Sequence, residues 1–167
     1  YPWYVGLFHA YFWLPIYFLF FNSKVELTEV LYLASIYFAS VVVIEVPSGW
    51  FSDQFGRRKT LITASLFLCI AYSLFLFANS FEMFALAQIF LAGGIAFNSG
   101  TDTSFLYETT QALGEPDSYP HLEAKAVKYN FLGTAAAGIL GGLAAIPDYR
   151  GAYALSLAGG IGLLLIT

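Results

Sequence analysis

The chain has 167 residues, of which 59% are hydrophobic, 19% aromatic and only 11% charged, where an ordinary soluble domain carries about 25% charged residues. That composition excludes a soluble globular domain, and with a net charge of −4 no basic cluster approaches what a nucleic-acid surface needs. The single cysteine, Cys69, excludes an internal disulfide and a thiolate metal centre.

In chain order, six apolar stretches are expected as membrane-spanning helices: residues 3–21, 28–51, 60–78, 82–107, 126–146 and 151–167. Each has roughly the 20 residues that a bilayer requires. Polar segments separate them at Asn22 to Glu29, Ser52 to Lys59, Asn79 to Glu82 and Pro147 to Arg150, with a longer linker at 108–125 that contains Gly114, Pro116 and Pro120. The linker is read as the cytoplasmic junction of two three-helix units. The fold class expected is therefore an all-α membrane protein of six transmembrane helices, arranged as a three-plus-three inverted repeat of the kind found in transporter halves. With the amino-terminal end cytoplasmic, the inner connections hold Arg57, Arg58, Lys59, Lys125 and Lys128, against Lys24 and Arg150 outside. Five cations against two set this orientation by the positive-inside rule. Tyr1 is not an initiator and the chain stops at Thr167 within an apolar run, so a fragment of a longer polypeptide is expected.

Two acids fall within the apolar stretches. Glu45 precedes Asp53 by eight residues, about 12 Å deeper along a helix, and Asp102 sits roughly 25–30 Å in from the outer end of its stretch by the same rise. An acid at membrane depth is costly unless it faces a cavity or a partner. Glu45 and Asp102 are thus candidates for proton coupling or for recognising a cationic or polar substrate. Alternatively, they are structural acids bonded to Ser48, Thr101, Tyr107 or the backbone freed by Pro47. His9 is either a proton shuttle or a satisfied interior donor. Around it, Tyr4, Phe8, Tyr11 and Pro15 fall near one helical face, with Tyr17 in the same stretch; they would line a cavity or pack against lipid. Gly133, Ala137 and Gly141 recur every four residues, with Gly138 and Gly142 alongside, which predicts a close helix crossing.

Between the second and third stretches stands Gly49-Trp50-Phe51-Ser52-Asp53-Gln54-Phe55-Gly56-Arg57-Arg58-Lys59. Gly49 permits close approach of another helix, Asp53 can accept hydrogen bonds, and Gly56 permits a tight turn before the basic cluster. The pattern Gly-x-x-x-Asp-x-x-Gly-Arg-Arg strongly resembles the loop signature of the major facilitator superfamily of secondary transporters, with Gln54 where that family usually has Arg or Lys. The resemblance implies the amino-terminal half of such a transporter, working by alternating access on a small-molecule substrate, with a carboxy-terminal six-helix half missing from this chain. It also implies that Gly49, Asp53, Gly56 and Arg57, beside Arg58, form a cytoplasmic gate.

Asp148 to Tyr153 looks like the outer turn before the sixth helix of that superfamily. Asn98 to Asp102, Leu106-Tyr107-Glu108 and Glu45-Val46-Pro47-Ser48-Gly49 look like a poorly assigned bacterial branch, which implies a bacterial plasma (inner) membrane. The fifth stretch partly resembles the glycine-proline motif of drug–proton antiporters. There Ala137 replaces a glycine, Gly138 replaces the proline, and Gln88 occupies the place of an intramembrane arginine.

Enzyme motifs, phosphate-binding loops and metal-ligand clusters are absent from the sequence. No cofactor or metal is expected, and the lipid bilayer and a small molecule are the expected partners. Proton-coupled transport is the leading reading, with a facilitative uniporter, or a non-transporting receptor or subunit on a transporter-like fold, as alternatives.

Overall fold

Apolar segments in a bilayer must satisfy their backbone polar groups internally, which helices do and open strands do not. The computed structural model describes residues 1–167 as eight helices: α1 (Pro2–Phe8), α2 (Tyr17–Asn22), α3 (Leu27–Phe55), α4 (Arg57–Phe77), α5 (Phe81–Asn98), α6 (Thr101–Ala112), α7 (Ser118–Ala144) and α8 (Arg150–Ile166). Three stretches are long and apolar enough to cross a membrane: Leu27–Phe55, Arg57–Phe77 and Phe81–Ala112. The chain is thus an all-helical membrane protein.

Three expectations are corrected. The first apolar stretch, 3–21, is not one helix but α1 and α2 joined by a non-helical run from His9 to Ile16. Pro15 accounts for the break, because its ring would clash with the carbonyl four residues earlier and it disfavours a helical residue before it. The run instead closes tight turns, Tyr11 N–H to the His9 carbonyl at 2.9 Å and Phe12 N–H to the Ala10 carbonyl at 3.0 Å. The fourth stretch, 82–107, is interrupted at Ser99 and Gly100, where Gly100 takes φ +69, a left-handed conformation open to glycine.

The third correction concerns the linker 108–125, which contracts to Leu113–Asp117 because α6 runs on to Ala112 and α7 begins at Ser118. Gly114 closes this turn at φ +73, and Pro120 is accommodated in the first turn of α7, where a missing N–H costs nothing. The linker also follows the fourth apolar stretch and not the third, so it cannot join two units of three helices.

The connections gather at two ends of the bundle. At one end Arg58 Nε donates to the Thr167 carbonyl at 2.8 Å and Tyr107 packs edge-on against Tyr119. At the other, Arg150 Nη2 donates to Asn79 Oδ1 at 2.7 Å. Beneath that second end lies an aromatic core in which Phe75 meets Tyr153 at 4.9 Å and Phe21 meets Phe84 at 5.0 Å between ring centroids.

α4 packs between α5 and α8, and α3 lies along α5. The rest of α3, including Val42, Val43, Val46 and Trp50, is exposed. The α3–α5 seam has one polar stitch: the buried Ser48 hydroxyl lies 2.8 Å from the Glu45 carbonyl and 3.0 Å from the Ala96 carbonyl. Because one proton serves two acceptors across two helices, Ser48→Ala should lower stability by about 1 kcal/mol. A drop in the melting temperature of the detergent-solubilised protein would show it, and an unchanged value would reduce Ser48 to a local turn bond.

Candidate functional site

The loop between α3 and α4 is held by one guanidinium. Gly56 ends α3 at φ +89, so the chain reverses into α4 within a single residue and Arg57 stands directly beside the end of α3. Its Nη1 donates to Asp53 Oδ1 at 3.0 Å and to Ser52 Oγ at 2.7 Å, while its Nε donates to Glu108 Oε1 at 3.1 Å. Three helices, α3, α4 and α6, are thereby tied at one end of the bundle. Thr101 Oγ1 extends the joint to Ser52 Oγ at 3.5 Å. Asp53 and Glu108 are exposed and Arg57 is half-buried, so these pairs are open to solvent and salt. Gly49 has no atom near where a Cβ would stand. Arg58 points instead to the chain end. Glu108 as the partner of Arg57 was not foreseen from sequence, because the two are 51 positions apart; its place in Leu106-Tyr107-Glu108 was the only signal.

A second polar cluster lies inside the bundle, between α1, α5 and α6. Tyr4 donates its hydroxyl to Asn98 Oδ1 at 2.7 Å. Asp102 Oδ1 accepts the Thr103 N–H at 2.8 Å, a bond that satisfies a backbone donor in the first turn of α6. His9 is anchored through Nδ1 to the Val5 carbonyl at 2.9 Å. His9 and Asp102 share no hydrogen bond or ion pair. Glu45 stands apart: it is exposed on α3, and its carboxylate makes no hydrogen bond or ion pair within the chain, whereas its backbone carbonyl accepts from Ser48.

A cavity of about 400 Å³ opens between the non-helical run, α3 and α5. Of the aromatic residues that could line a cavity or pack against lipid, Tyr11 and Tyr17 line this one, joined by Trp13, Tyr37 and Gln88. Tyr4 and Phe8 are instead buried in the core and Pro15 is exposed away from the cavity. Trp13, Tyr37 and Gln88 went unforeseen, because α3 and α5 are apolar on every side and give no helical phase by which to orient them.

The small residues of α7 divide by face. A Cβ on Gly133 would overlap the Gly6 carbonyl, one on Gly141 would overlap the Phe12 carbonyl, and Ala137 between them is buried. These three pack α7 against α1 and the non-helical run. Gly138 and Gly142, by contrast, have nothing within 4 Å of a would-be Cβ and take no part in the crossing.

An all-helical membrane chain with an acid–glycine–arginine joint at one end of the bundle is the frame in which the comparisons fall. The family model for the Major Facilitator Superfamily matches residues 4–110, and the chain belongs to that family. Among curated proteins it is similar to "Solute carrier family 22 member 12" of Mus musculus, 32% identical over 82 residues that make up 49% of this chain and 15% of that protein. It is likewise similar to the "Arabinose-proton symporter" of Bacillus subtilis (strain 168), 34% identical over 84 residues, 50% of this chain and 18% of that protein. The chain thus matches less than a fifth of the length of either relative. No solved structure matches it.

Proposed function

We propose that the chain is the amino-terminal six-helix part of a secondary transporter that moves a small molecule by alternating access, coupled to protons. The observation that carries this reading is the Asp53–Arg57–Glu108 joint, which ties three helices at one bundle end in a chain of this superfamily. A cluster of exposed ion pairs is a suitable latch, because each pair is weak enough to open and several together bias a nearly balanced equilibrium. The six-span layout is supported by connections that gather at two bundle ends. The cytoplasmic amino-terminal end is supported by Arg57, Arg58 and Lys59 on the gate loop. Placement in a bacterial plasma membrane with a second bundle of six helices rests on the sequence resemblance.

Proton coupling is supported by the Glu45 carboxyl on the apolar helix α3 and by the likeness to a relative named as a proton symporter. Glu45 is the first candidate, since it stands on the apolar helix α3 and no side chain of this chain engages its carboxylate. In the full-length protein in proteoliposomes, Glu45→Gln should abolish proton-driven accumulation and leave counterflow exchange intact, because the amide keeps size and hydrogen bonding but cannot ionise. Accumulation equal to wild type would remove Glu45 from coupling and pass the role to Asp102. A facilitative uniporter is the second reading, favoured by the Thr103 bond that gives Asp102 a structural task. Transport indifferent to a proton gradient would establish it.

A further inference from the structure

A groove of about 630 Å³ runs between α1 and α7, with Ile166 of α8 also in its wall. Ala10 and Phe12 of the non-helical run line it, whereas Tyr11 and Trp13 line the cavity described above. Ten of its twelve lining residues are hydrophobic and the other two are the glycines Gly6 and Gly133, so no charged side chain and no amide interrupts the wall. Along α7 the groove extends from Tyr129 to Leu140, a rise of about 16 Å. That is about half of a hydrocarbon layer of about 30 Å, the depth of one leaflet. Over this length the volume amounts to a cross-section of about 40 Å², half of what a helix about 10 Å across fills. The groove therefore suits an extended hydrocarbon chain and not another helix.

One end of the groove is marked by a different chemistry. There the rings of Trp3 and Tyr129 meet edge-on at 4.7 Å between centroids, with Trp3 74% exposed. Amphipathic rings of this kind sit where hydrocarbon gives way to headgroups. Lys125 lies four residues before Tyr129, on the same stripe of α7, and Lys128 lies four residues before Leu132 of the groove wall. Both lysines are exposed and neither is ion-paired. Glu123, two residues before Lys125, falls across the helix, because residues two apart do not face each other. Two cations three residues apart are neighbours on a helix surface and repel. An anion shared between them reverses that repulsion, and basic sites between membrane helices favour acidic lipid headgroups. A free phosphate would leave the groove unused, and a zwitterionic lipid would bring the lysines no net charge.

We propose that this groove binds one acidic phospholipid, with an acyl chain lying along α1 and α7 and the phosphate held by Lys125 and Lys128. The proposal goes beyond the transporter reading and does not depend on it, since lipid binding needs no turnover.

The test takes the full-length protein in detergent micelles with a trace of phosphatidylglycerol that carries a diazirine in its acyl chain, and maps the photo-adducts by peptide mass spectrometry. Adducts should fall on α1 and on α7 between Tyr129 and Leu140. Unlabelled phosphatidylglycerol should displace them at about 30-fold lower concentration than phosphatidylcholine, the factor expected of two lysines beside an anionic headgroup. Lys125→Gln and Lys128→Gln should each weaken phosphatidylglycerol about fivefold, and the double variant should make the two lipids equivalent. Ala136→Trp, at an exposed position of the groove wall, should remove the adducts while both lysines stay in place. Lys24→Gln, in the connection between α2 and α3, should change nothing, and a loss equal to that of Lys125→Gln would overturn the proposal in favour of net charge alone. Displacement by glycerol phosphate, which has the anion and no chain, would make this a phosphate site and overturn the lipid. Adducts absent from the groove would mean that a helix of another bundle or a second copy covers it, and would overturn the proposal as well. So would equal displacement by the two lipids in the wild type, or adducts untouched by both Ala136→Trp and the double lysine variant.

Discussion

Gly141→Val and Gly133→Val should each prevent α7 from seating, lowering stability by about 1–3 kcal/mol or abolishing recovery of folded protein. At both positions a side chain would occupy the space of a backbone carbonyl, of Phe12 and Gly6 respectively. A carbonyl, unlike a flexible side chain, cannot swing aside. Gly138→Val and Gly142→Val lie on another face of the same helix, where nothing lies within 4 Å of a would-be Cβ, and should stay within about 0.5 kcal/mol of wild type. Size-exclusion profiles and melting temperatures of the four variants in detergent would decide the matter. Equal damage from both pairs would place the α7 crossing on a different face.

Arg57→Ala should have the largest effect on switching, since it removes both ion pairs and the bond to Ser52 in one step. Exposed pairs contribute about 0.2–1 kcal/mol each, so the loss reaches at most about 2 kcal/mol, or roughly a 30-fold shift between the two states of a balanced carrier. Asp53→Asn removes one pair and should shift the balance less. In both variants transport rate should fall while equilibrium affinity for substrate stays near wild type, and raised salt should reduce the difference from wild type. Lost affinity with unchanged turnover would contradict the latch.

Helix positions were legible where polar punctuation is dense. α3 (Leu27–Phe55) and α4 (Arg57–Phe77) fall within a few residues of the stretches expected at 28–51 and 60–78, because Lys24 to Glu29 and Ser52 to Lys59 bracket them with residues that resist burial. The break at His9–Ile16 was hidden, since an unbroken aromatic run carries no polar marker and Pro15 was its only sign. The loop between α3 and α4 could be read as a motif because its residues are contiguous. Glu108 could not be paired with Arg57, as that contact depends on how α6 leaves the kink at Gly100. The cavity wall was half legible: Tyr11 and Tyr17 share one local segment, whereas Tyr37 and Gln88 lie on helices whose rotation only packing decides.

The division of the first apolar stretch bears on the order in which the protein can be assembled during synthesis. α1 has seven residues and α2 six, lengths of about 10 Å and 9 Å at 1.5 Å per residue, so neither alone reaches across a hydrocarbon layer of about 30 Å. The run between them leaves backbone carbonyls outside any helix, and hydrocarbon tolerates that only where protein or water meets them. The His9 carbonyl, which accepts the Tyr11 N–H locally, is further shielded by the Thr134 hydroxyl, which donates to it at 3.0 Å from 125 positions further on. For Phe12 the shield is the backbone of Gly141. Both belong to α7, which follows these segments in the chain, so the run from His9 to Ile16 is secured only after α7 has been made. Until α7 arrives, a nascent chain must hold the Phe12 carbonyl in water, in a helix it later surrenders, or in the grip of the insertion machinery.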